Sequence, residues 1–514
     1  MKFTITTPLY YVNDKPHLGS LYTTLACDTI SRFHRLEGNE VIFITGVDEH
    51  GQKILRTAES KNLTPKEHCD IICTKYKELW HLWDISYDRF VRTTDNLHKP
   101  IVESFFKIVE ASGDIYIGRQ QGWYCVGCEE YKDVESNSEE PICPIHNRKL
   151  EWRDEENLFF RLSKYQSQIE QLISKEGFIL PKSRKNEIEN FVKKGLRDFS
   201  ISRVDLPWGI EVPGYKQHTF YVWFDALIGY LSALNPSGEN ITLNQLKSHG
   251  WPASVHVIGK DILRFHAVYW PAMLISAGLP LPAQVFGHGF LTREGQKMGK
   301  SLGNVLDPNE LYHKYGQDAV RWYLLKDFQF GHDGDFQEQR FVELINNDLS
   351  NTIGNLLNRT ISMSIKWFNN QTPTINHEEI AYHPLNEQLS KIIDEYRTTM
   401  STLQISRSAE LILNIATLAN IYLNEKEPWA KIKDKANANE VAKDIYCVLE
   451  ATRIVGVMLN PLLPQLSHRI LAQLNFVIDD THWTQSLRWG LLRTKEQLSK
   501  PIPVMQKLEL QNES

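Results

Sequence analysis

This 514-residue chain is predicted to be an α/β protein, with a parallel sheet followed by an all-helical C-terminal region. Near the N-terminus a β-type run, Phe3-Thr4-Ile5-Thr6, turns through Pro8, Asn13-Asp14 and Pro16 into a helical pattern with Leu18, Leu21 and Leu25 on one face. Gly38-Asn39 stops that helix, and a second apolar run follows at Val41-Ile42-Phe43-Ile44. Strand, helix and strand in this order are the unit of a parallel sheet. From about Phe341 strand signals become sparse. Phe341, Leu344, Ile345, Leu349, Ile353, Leu356 and Leu357 form an apolar helical stripe, with Asn351, Asn355 and Arg359 at four-residue spacing on another face.

Composition bounds the class. At about 150 residues per domain the length predicts three or four domains. With 42% hydrophobic and 23% charged residues, the chain reads as a soluble globular protein. A net charge of -6 argues against a general nucleic-acid coat protein and leaves room for a local basic patch. There is no N-terminal apolar segment and no run long enough to span a membrane. The Pro8–Ser20 stretch starts too early for a cleaved transit peptide to precede it, and seven cysteines do not suggest a disulfide scaffold. A reducing, cytoplasmic location is expected.

The elements follow in order. Where the first strand hands over to a helix, His17-Leu18-Gly19-Ser20 offers a small residue, free N–H groups and a helix dipole that favour a phosphate. The same residues also suit a simple turn. The second strand ends in Thr45-Gly46-Val47-Asp48-Glu49-His50-Gly51, and residues 52–113 look mainly helical, with Trp80 and Trp83 in the core. A turn-rich region then carries Cys125-x-x-Cys128 and Cys143-x-x-His146. Two such knuckles have the spacing of a closed, tetrahedral, structural zinc site. The mixed segment from Glu151 to about Pro213 holds core positions at Phe159-Phe160. Its loosely basic stretch, Lys182 to Arg197, reads as a solvated face.

Tyr221–Tyr230 places Trp223, Ala226, Leu227 and Tyr230 on one helical face. That face serves equally as ordinary core or as the wall of an apolar pocket. Ser254–Asp261 is a buried strand ending in Gly259, Lys260 and Asp261, and it feeds a helix with Ile262, Phe265 and His266. Ligands bind at such carboxyl ends in open parallel sheets. After the strand at Gln284–Gly287, a polar, flexible loop carries Gly295-Gln296-Lys297-Met298-Gly299-Lys300-Ser301. Two lysines between glycines could close on a polyphosphate; they also fit a surface turn.

Along nearly its whole length the chain resembles the methionyl-tRNA synthetases, a family of class I aminoacyl-tRNA synthetases. Pro16-His17-Leu18-Gly19-Ser20 is similar to the family's His-Ile-Gly-His signature, and Lys297-Met298-Gly299-Lys300-Ser301 to its Lys-Met-Ser-Lys-Ser loop. Thr45–Gly51, Tyr221–Tyr230 and Ile258–Asp261 match methionyl-specific segments in the right order. Ser20 departs from a histidine and Gly299 from a serine. The alternatives are another class I synthetase, a small nucleotidylyltransferase, and a tRNA-binding module with decayed catalytic signatures.

The resemblance implies a Rossmann catalytic domain split by a zinc-knuckle insert. Its halves would be 1–113 and 214–290, with a connective peptide at 114–213. A mobile-loop and stem-contact region at 291–340 and a helical anticodon-binding domain at 341–514 would follow. The implied activity is activation of methionine with Mg²⁺-ATP and its transfer to methionine tRNA, elongator and initiator. His17, Lys297 and Lys300 would be catalytic, and Gly19, Ser20, Gly259 and Asp261 would join them in binding ATP. The methionine pocket would comprise Leu9, Tyr11, Asp48, Trp223, Ala226, Leu227, Tyr230, Ile262, Phe265 and His266, with Tyr11 or His266 donating to the sulfur. Zinc would sit on Cys125, Cys128, Cys143 and His146. Asn355, Arg359 and Trp429 would read the anticodon. A monomer is expected, because the chain ends near Ser514 without the C-terminal β-barrel of dimeric relatives.

Overall fold

The structure is a computed structural model that describes residues 1–127, 129–132, 141–143, 148–235, 242–298, 303–479 and 483–510. It forms two compact units. One comprises Lys2–Pro16 and Val41–His288; the other comprises Met1, His17–Glu40 and Gly289–Ser514.

The first unit is built on a six-stranded sheet. Strand β1 (Lys2–Tyr11) is followed along the chain by helix α1 (Leu18–Leu36), β2 (Glu40–Asp48) and β3 (Arg89–Arg92). Helix α2 (His98–Ala111), β4 (Ile179–Leu180), helix α3 (Val222–Ser232), β5 (Val255–Gly259) and β6 (Val285–His288) complete the set. The strand order is β3-β2-β1-β5-β6-β4. Parallel registers join Ile5 to Val255, His256 to Val285, Val285 to Ile179 and Ile44 to Arg89. The order reverses between β1 and β5, the topological switch point at which α/β sheets bind ligands. Short β4 comes from the segment that also carries the cysteine knuckles, so that segment is partly woven into the main sheet.

Strand β1 is buried on both faces, as parallel strands are, although it is rich in threonine. Each hydroxyl is satisfied. Thr4 donates to the Gly250 carbonyl at 2.7 Å, Thr6 meets His256 Nδ1 at 2.7 Å, and Thr7 donates to Thr45 at 2.8 Å. Aromatic side chains such as Phe105, Phe160, Phe224 and Trp270 fill the core. The cysteine region extends as an antiparallel hairpin of Ile115–Cys125 and Glu151–Phe160, flanked by Glu130–Lys132 and Phe199–Ser200.

The second unit is mostly helical. The apolar stripe expected from Phe341 is buried at Phe341, Ile345, Leu349, Ile353, Leu356 and Leu357. It is not one regular helix, because the backbone widens to π-helical geometry over Asn346–Gly354 before helix α4 (Asn355–Trp367). Helices α5 (Ile405–Lys426) and α6 (Ala438–Leu459) pack beside it, and α6 is buried along nearly its whole length. Within this unit α1 is held by Asp28, which pairs with Arg321 at 2.8 Å with both side chains fully buried. Glu37 takes a two-pronged contact from Arg397 at 2.9 and 2.7 Å. Among the described residues no helix is long and apolar enough to cross a membrane.

Glu450 and Arg453 form a second fully buried pair at 2.6 Å. Glu450 also accepts from the backbone N–H groups of Gly490, Leu491 and Leu492. The pair therefore fastens the C-terminal segment to α6. Glu450→Ala would leave a buried guanidinium and three backbone donors without their acceptor. The expected loss is about 3–5 kcal/mol, read as a lower midpoint in urea unfolding.

Candidate active site

Every residue expected for the apolar pocket falls in the first unit. Leu9 and Tyr11 end β1, Asp48 ends β2, and α3 presents Trp223, Ala226, Leu227 and Tyr230. Pro8, Leu9, Asp48, these four and His266 line one small cavity of about 20 Å³, room for about one water. Trp223 narrows it by lying flat on Phe265, with ring centroids 4.0 Å apart and planes 6° apart. The remaining expected residues, Tyr11 and Ile262, do not line it.

Proton positions on the polar side follow from the partners. His266 Nδ1 is 3.1 Å from the Ile262 carbonyl, which can only accept, so Nδ1 carries the proton. Nε2 then accepts from the Tyr230 hydroxyl at 2.9 Å. Burial lowers the His266 pKa to about 4 and keeps the ring neutral. The Tyr11 hydroxyl donates to Glu129 at 2.9 Å. Neither Tyr11 nor His266 therefore has a proton left for a sulfur atom in this state. Burial leads both groups to satisfy themselves on protein acceptors here.

Four buried carboxylates surround the mouth, and three are compensated. Glu49 is held by Arg92 at 2.8 Å and by the Thr94 hydroxyl. Glu129 accepts from Tyr11, from Tyr124 at 3.2 Å and from the Lys53 N–H at 2.9 Å. Asp225 takes His50 Nδ1 at 2.6 Å and His98 Nε2 at 2.5 Å; despite its burial the two imidazoles lower its pKa to about 2. Asp48 is only 6% exposed and has no cation against it among the described residues. Its one contact is a long 3.5 Å approach from the His50 N–H. Burial, then the charges of Asp225, Glu129 and Glu49, push its pKa well above the usual carboxylate range. The arrangement is an anionic socket that a buried cation would satisfy. Asp225, His98 and Glu129 have no distinctive sequence spacing; only their convergence on Asp48 marks them.

Gly259 and Asp261 sit at the carboxyl end of β5. The Asp261 carboxylate folds back so closely that a Cβ on Gly259 would meet it at 2.6 Å. On the far side of Phe265, a polar cleft of about 170 Å³ is lined by Glu130, Asp198, Arg203, Arg264 and Tyr269 among others. Arg203 is buried there against the Tyr221 ring at 4.1 Å and donates to Ser200 and Ser202.

In the second unit His17 caps α1. Its Nδ1 accepts from the Gly19 N–H at 3.1 Å, so the neutral ring carries its proton on Nε2, as an outward donor. Gly19 permits this fold-back, since a Cβ there would lie 3.0 Å from the ring. The Ser20 hydroxyl accepts from the His17 N–H at 3.0 Å and donates to the His17 carbonyl at 2.7 Å. The Ser20 hydroxyl, expected to join in binding ATP, is thus engaged in the cap of α1 in this state. Lys297 is exposed on Gln296–Lys297, paired with Leu291–Arg293 through a turn with φ of 49° at Glu294 and 73° at Gly295. The start of the expected flexible loop is thus a β-hairpin. Lys300 lies outside the described residues, as do Gly299 and Ser301.

Of the four zinc ligands expected, Cys128 and His146 lie outside the described residues. Cys125 and Cys143 are buried in one small cluster with Leu150 and Trp123, separate from the main core. Two thiols brought together from two turns suit a soft metal ion. At the other end of the chain, Arg359 of α4 donates to Asn424 at 3.0 Å and lies 5.6 Å from the Trp429 ring. Trp429 is exposed, and so is Asn355 one turn before Arg359. The three residues share one surface.

Comparisons with known proteins agree on one family. The family model described as tRNA synthetases class I (M) matches residues 3–135 and 132–361, and that of the anticodon binding domain of methionyl tRNA ligase matches residues 373–510. The chain is 50% identical to the methionine–tRNA ligase of Synechocystis sp., covering 99% of this chain and 98% of that protein. It is 48% identical to the chloroplastic/mitochondrial methionine–tRNA ligase of Arabidopsis thaliana, over 99% of this chain and 84% of that protein. Among solved structures, Mycobacterium tuberculosis methionyl-tRNA synthetase in complex with methionyl-adenylate is 34% identical, with a TM-score of 0.90 over 98% of this chain and 99% of that one.

The socket depends on Gly51, which has φ of 110° and would place a Cβ 2.6 Å from the Tyr11 hydroxyl and 2.9 Å from Glu129. Gly51→Ala is expected to break the Tyr11–Glu129 bond and to cost about 2–3 kcal/mol through strain and a stranded carboxylate. Chemical denaturation against the parent protein measures this.

Proposed function

The chain belongs to the methionyl-tRNA synthetases of class I, and from that premise we propose that Asp48 receives the α-ammonium of methionine beside the Trp223 wall. The enzyme activates methionine with ATP, giving methionyl-adenylate and pyrophosphate, and transfers the methionyl group to the terminal ribose of methionine tRNA, elongator and initiator. The observation that carries the assignment is a carboxylate with no cation against it among the described residues, lining an aromatic pocket. A thioether suits aromatic walls. Since Tyr11 and His266 have spent their protons, shape and polarisability rather than a hydrogen bond select the sulfur. A cavity of about 20 Å³ is too small for the side chain, so the Trp223–Phe265 stack must give way on binding.

Little covalent work falls to side chains, so positioning and electrostatics carry the rate. His17 Nε2–H and the N-terminus of α1 at Gly19 donate to ATP phosphates. Gly259 and Asp261 hold the nucleoside, Asp261 at the ribose. Lys297 and Lys300 neutralise the leaving pyrophosphate. Mg²⁺ accompanies ATP and shields its phosphate charge. Residues 1–113 and 214–290 form the catalytic domain, 114–213 the connective peptide, 291–340 the mobile-loop and stem-contact region, and 341–514 the anticodon domain. In that last region Asn355, Arg359 and Trp429 read the anticodon. The enzyme works as a cytoplasmic monomer.

ATP–pyrophosphate exchange across the amino acids tests the reading, with methionine expected as the substrate. Trp223→Ala should raise the methionine requirement far more than that for ATP. Asp48→Ala should cost about 2–5 kcal/mol in kcat/KM for methionine; unchanged methionine dependence would contradict the anchor.

Trp429→Ala tests the anticodon assignment. Stacking is worth roughly 1–3 kcal/mol per base, so tRNA charging should weaken about ten- to hundredfold while exchange is untouched. Equal charging by variant and parent would return this surface to ordinary helix exterior.

Zinc on Cys125, Cys128, Cys143 and His146 would tie the two turns of the knuckle together. Metal analysis of the purified protein should find one zinc per chain, and Cys143→Ser should lose it. A metal-free but fully active preparation would remove zinc from the account.

A further inference from the structure

Asp225 is buried in the first turn of α3, between the pocket residues Trp223 and Ala226, and has no part in lining the cavity. Its two oxygens are shared between distant parts of the chain. Oδ2 accepts from His50, which stands two residues after Asp48 in the turn that ends β2. Oδ1 accepts from His98, the first residue of α2. The other nitrogen of His98 meets the Ser232 hydroxyl at 2.8 Å, at the far end of α3. One imidazole therefore touches both ends of the pocket helix, and the other is attached to the backbone that presents Asp48. We propose that Asp225, with His50 and His98, is a positioning residue for methionine recognition, fixing the distance between Asp48 and the aromatic wall and setting a second negative charge behind Asp48. This rests on the reading of Asp48 as ammonium acceptor.

The chemistry requires a carboxylate. Both histidines donate to it through N–H, and an amide offers only one acceptor oxygen. Asparagine at 225 would set its NH₂ against an imidazole N–H, and one of the two links would open. The charge acts separately. The groups facing Asp48 are Tyr11 from β1, Cys69 from the helix Pro65–Leu82, Glu129 from the turn before Glu130–Lys132, Asp225 from α3, and Glu49 and His50 from its own turn. After burial itself, Asp225 is the largest influence raising the proton affinity of Asp48. A carboxylate whose pKa is raised binds a cation less well as pH falls through that value. Removing the Asp225 charge lowers the pKa of Asp48 and carries its ionised form to lower pH.

The test is ATP–pyrophosphate exchange by the full-length enzyme over a range of pH, with Asp225→Asn and His98→Gln. Asp225→Asn should raise KM for methionine about tenfold or more, leave KM for ATP within about twofold, and move the acid limb of kcat/KM for methionine to lower pH. A purely structural role would not move that limb in this direction. His98→Gln keeps the Asp225 charge and loosens its seat. It should raise KM for methionine by about threefold with the acid limb in place. Methionine KM unchanged in Asp225→Asn, KM for ATP rising equally, or a stationary acid limb would each overturn the proposal. If thermal melting shows Asp225→Asn to be unfolded, His98→Gln decides alone, and an unchanged methionine KM in it is the contradicting result. An Asp48→Ala enzyme with normal methionine dependence would instead remove the anchor reading itself.

Discussion

A carboxylate buried without a cation is the constraint on which the catalytic unit depends. Desolvating an ionised acid is costly, and proteins normally offset the cost with a paired base or several hydrogen bonds. Around the carboxyl end of β2 that offset is complete for Glu49, Glu129 and Asp225 and missing for Asp48. Among the described residues the neighbouring Tyr11, Glu129, His50 and Asp225 satisfy one another. Among the described residues the socket is left without a cation, as the proposed seat for an ammonium group requires. The same self-satisfaction explains the apolar wall. With the Tyr230 and Tyr11 protons committed to protein acceptors, the side-chain pocket offers mainly aromatic surface.

The second unit uses its polar groups differently. At the start of α1 the cap turns the His17 ring so that one nitrogen closes the helix and the other is free to donate outward. Ser20, where the family signature has a histidine, strengthens that cap. Near the end of α5, Arg359, Asn424 and Trp429 are left at the surface without burial to hold them. An exposed indole beside a guanidinium is poor economy for a folded core and a good platform for an unstacked base.

Much of this was legible in the sequence because it is periodic or local. The first strand–helix–strand unit and the C-terminal apolar stripe follow from side-chain spacing. The shared face of Trp223, Ala226, Leu227 and Tyr230 on α3 follows from their spacing, and its use as a pocket wall from the family resemblance. What was not legible depends on long-range convergence. His50, His98 and Asp225 come from three separated segments, and nothing near any of them in sequence announces the others. Two-residue β4 is too short for a periodic signal and exists because β6 offers an edge. The hairpin carrying Lys297 was read as flexible because glycine and polar residues dominate it; the positive φ angles at Glu294 and Gly295 use that composition to make a tight turn. The π-helical stretch within the C-terminal stripe is likewise invisible to a pattern that averages over several turns.

The most direct measurement of the central claim is the proton balance of methionine binding. Calorimetric titration at mildly acidic pH, in buffers of different ionisation enthalpy, reports protons released or taken up. Burial and the neighbouring carboxylates raise the proton affinity of Asp48, and an arriving ammonium group lowers it again. Net proton release by the wild-type enzyme, absent in Asp48→Asn, is the predicted result. Methionine binding with no proton release, or with the same release in Asp48→Asn, would contradict it.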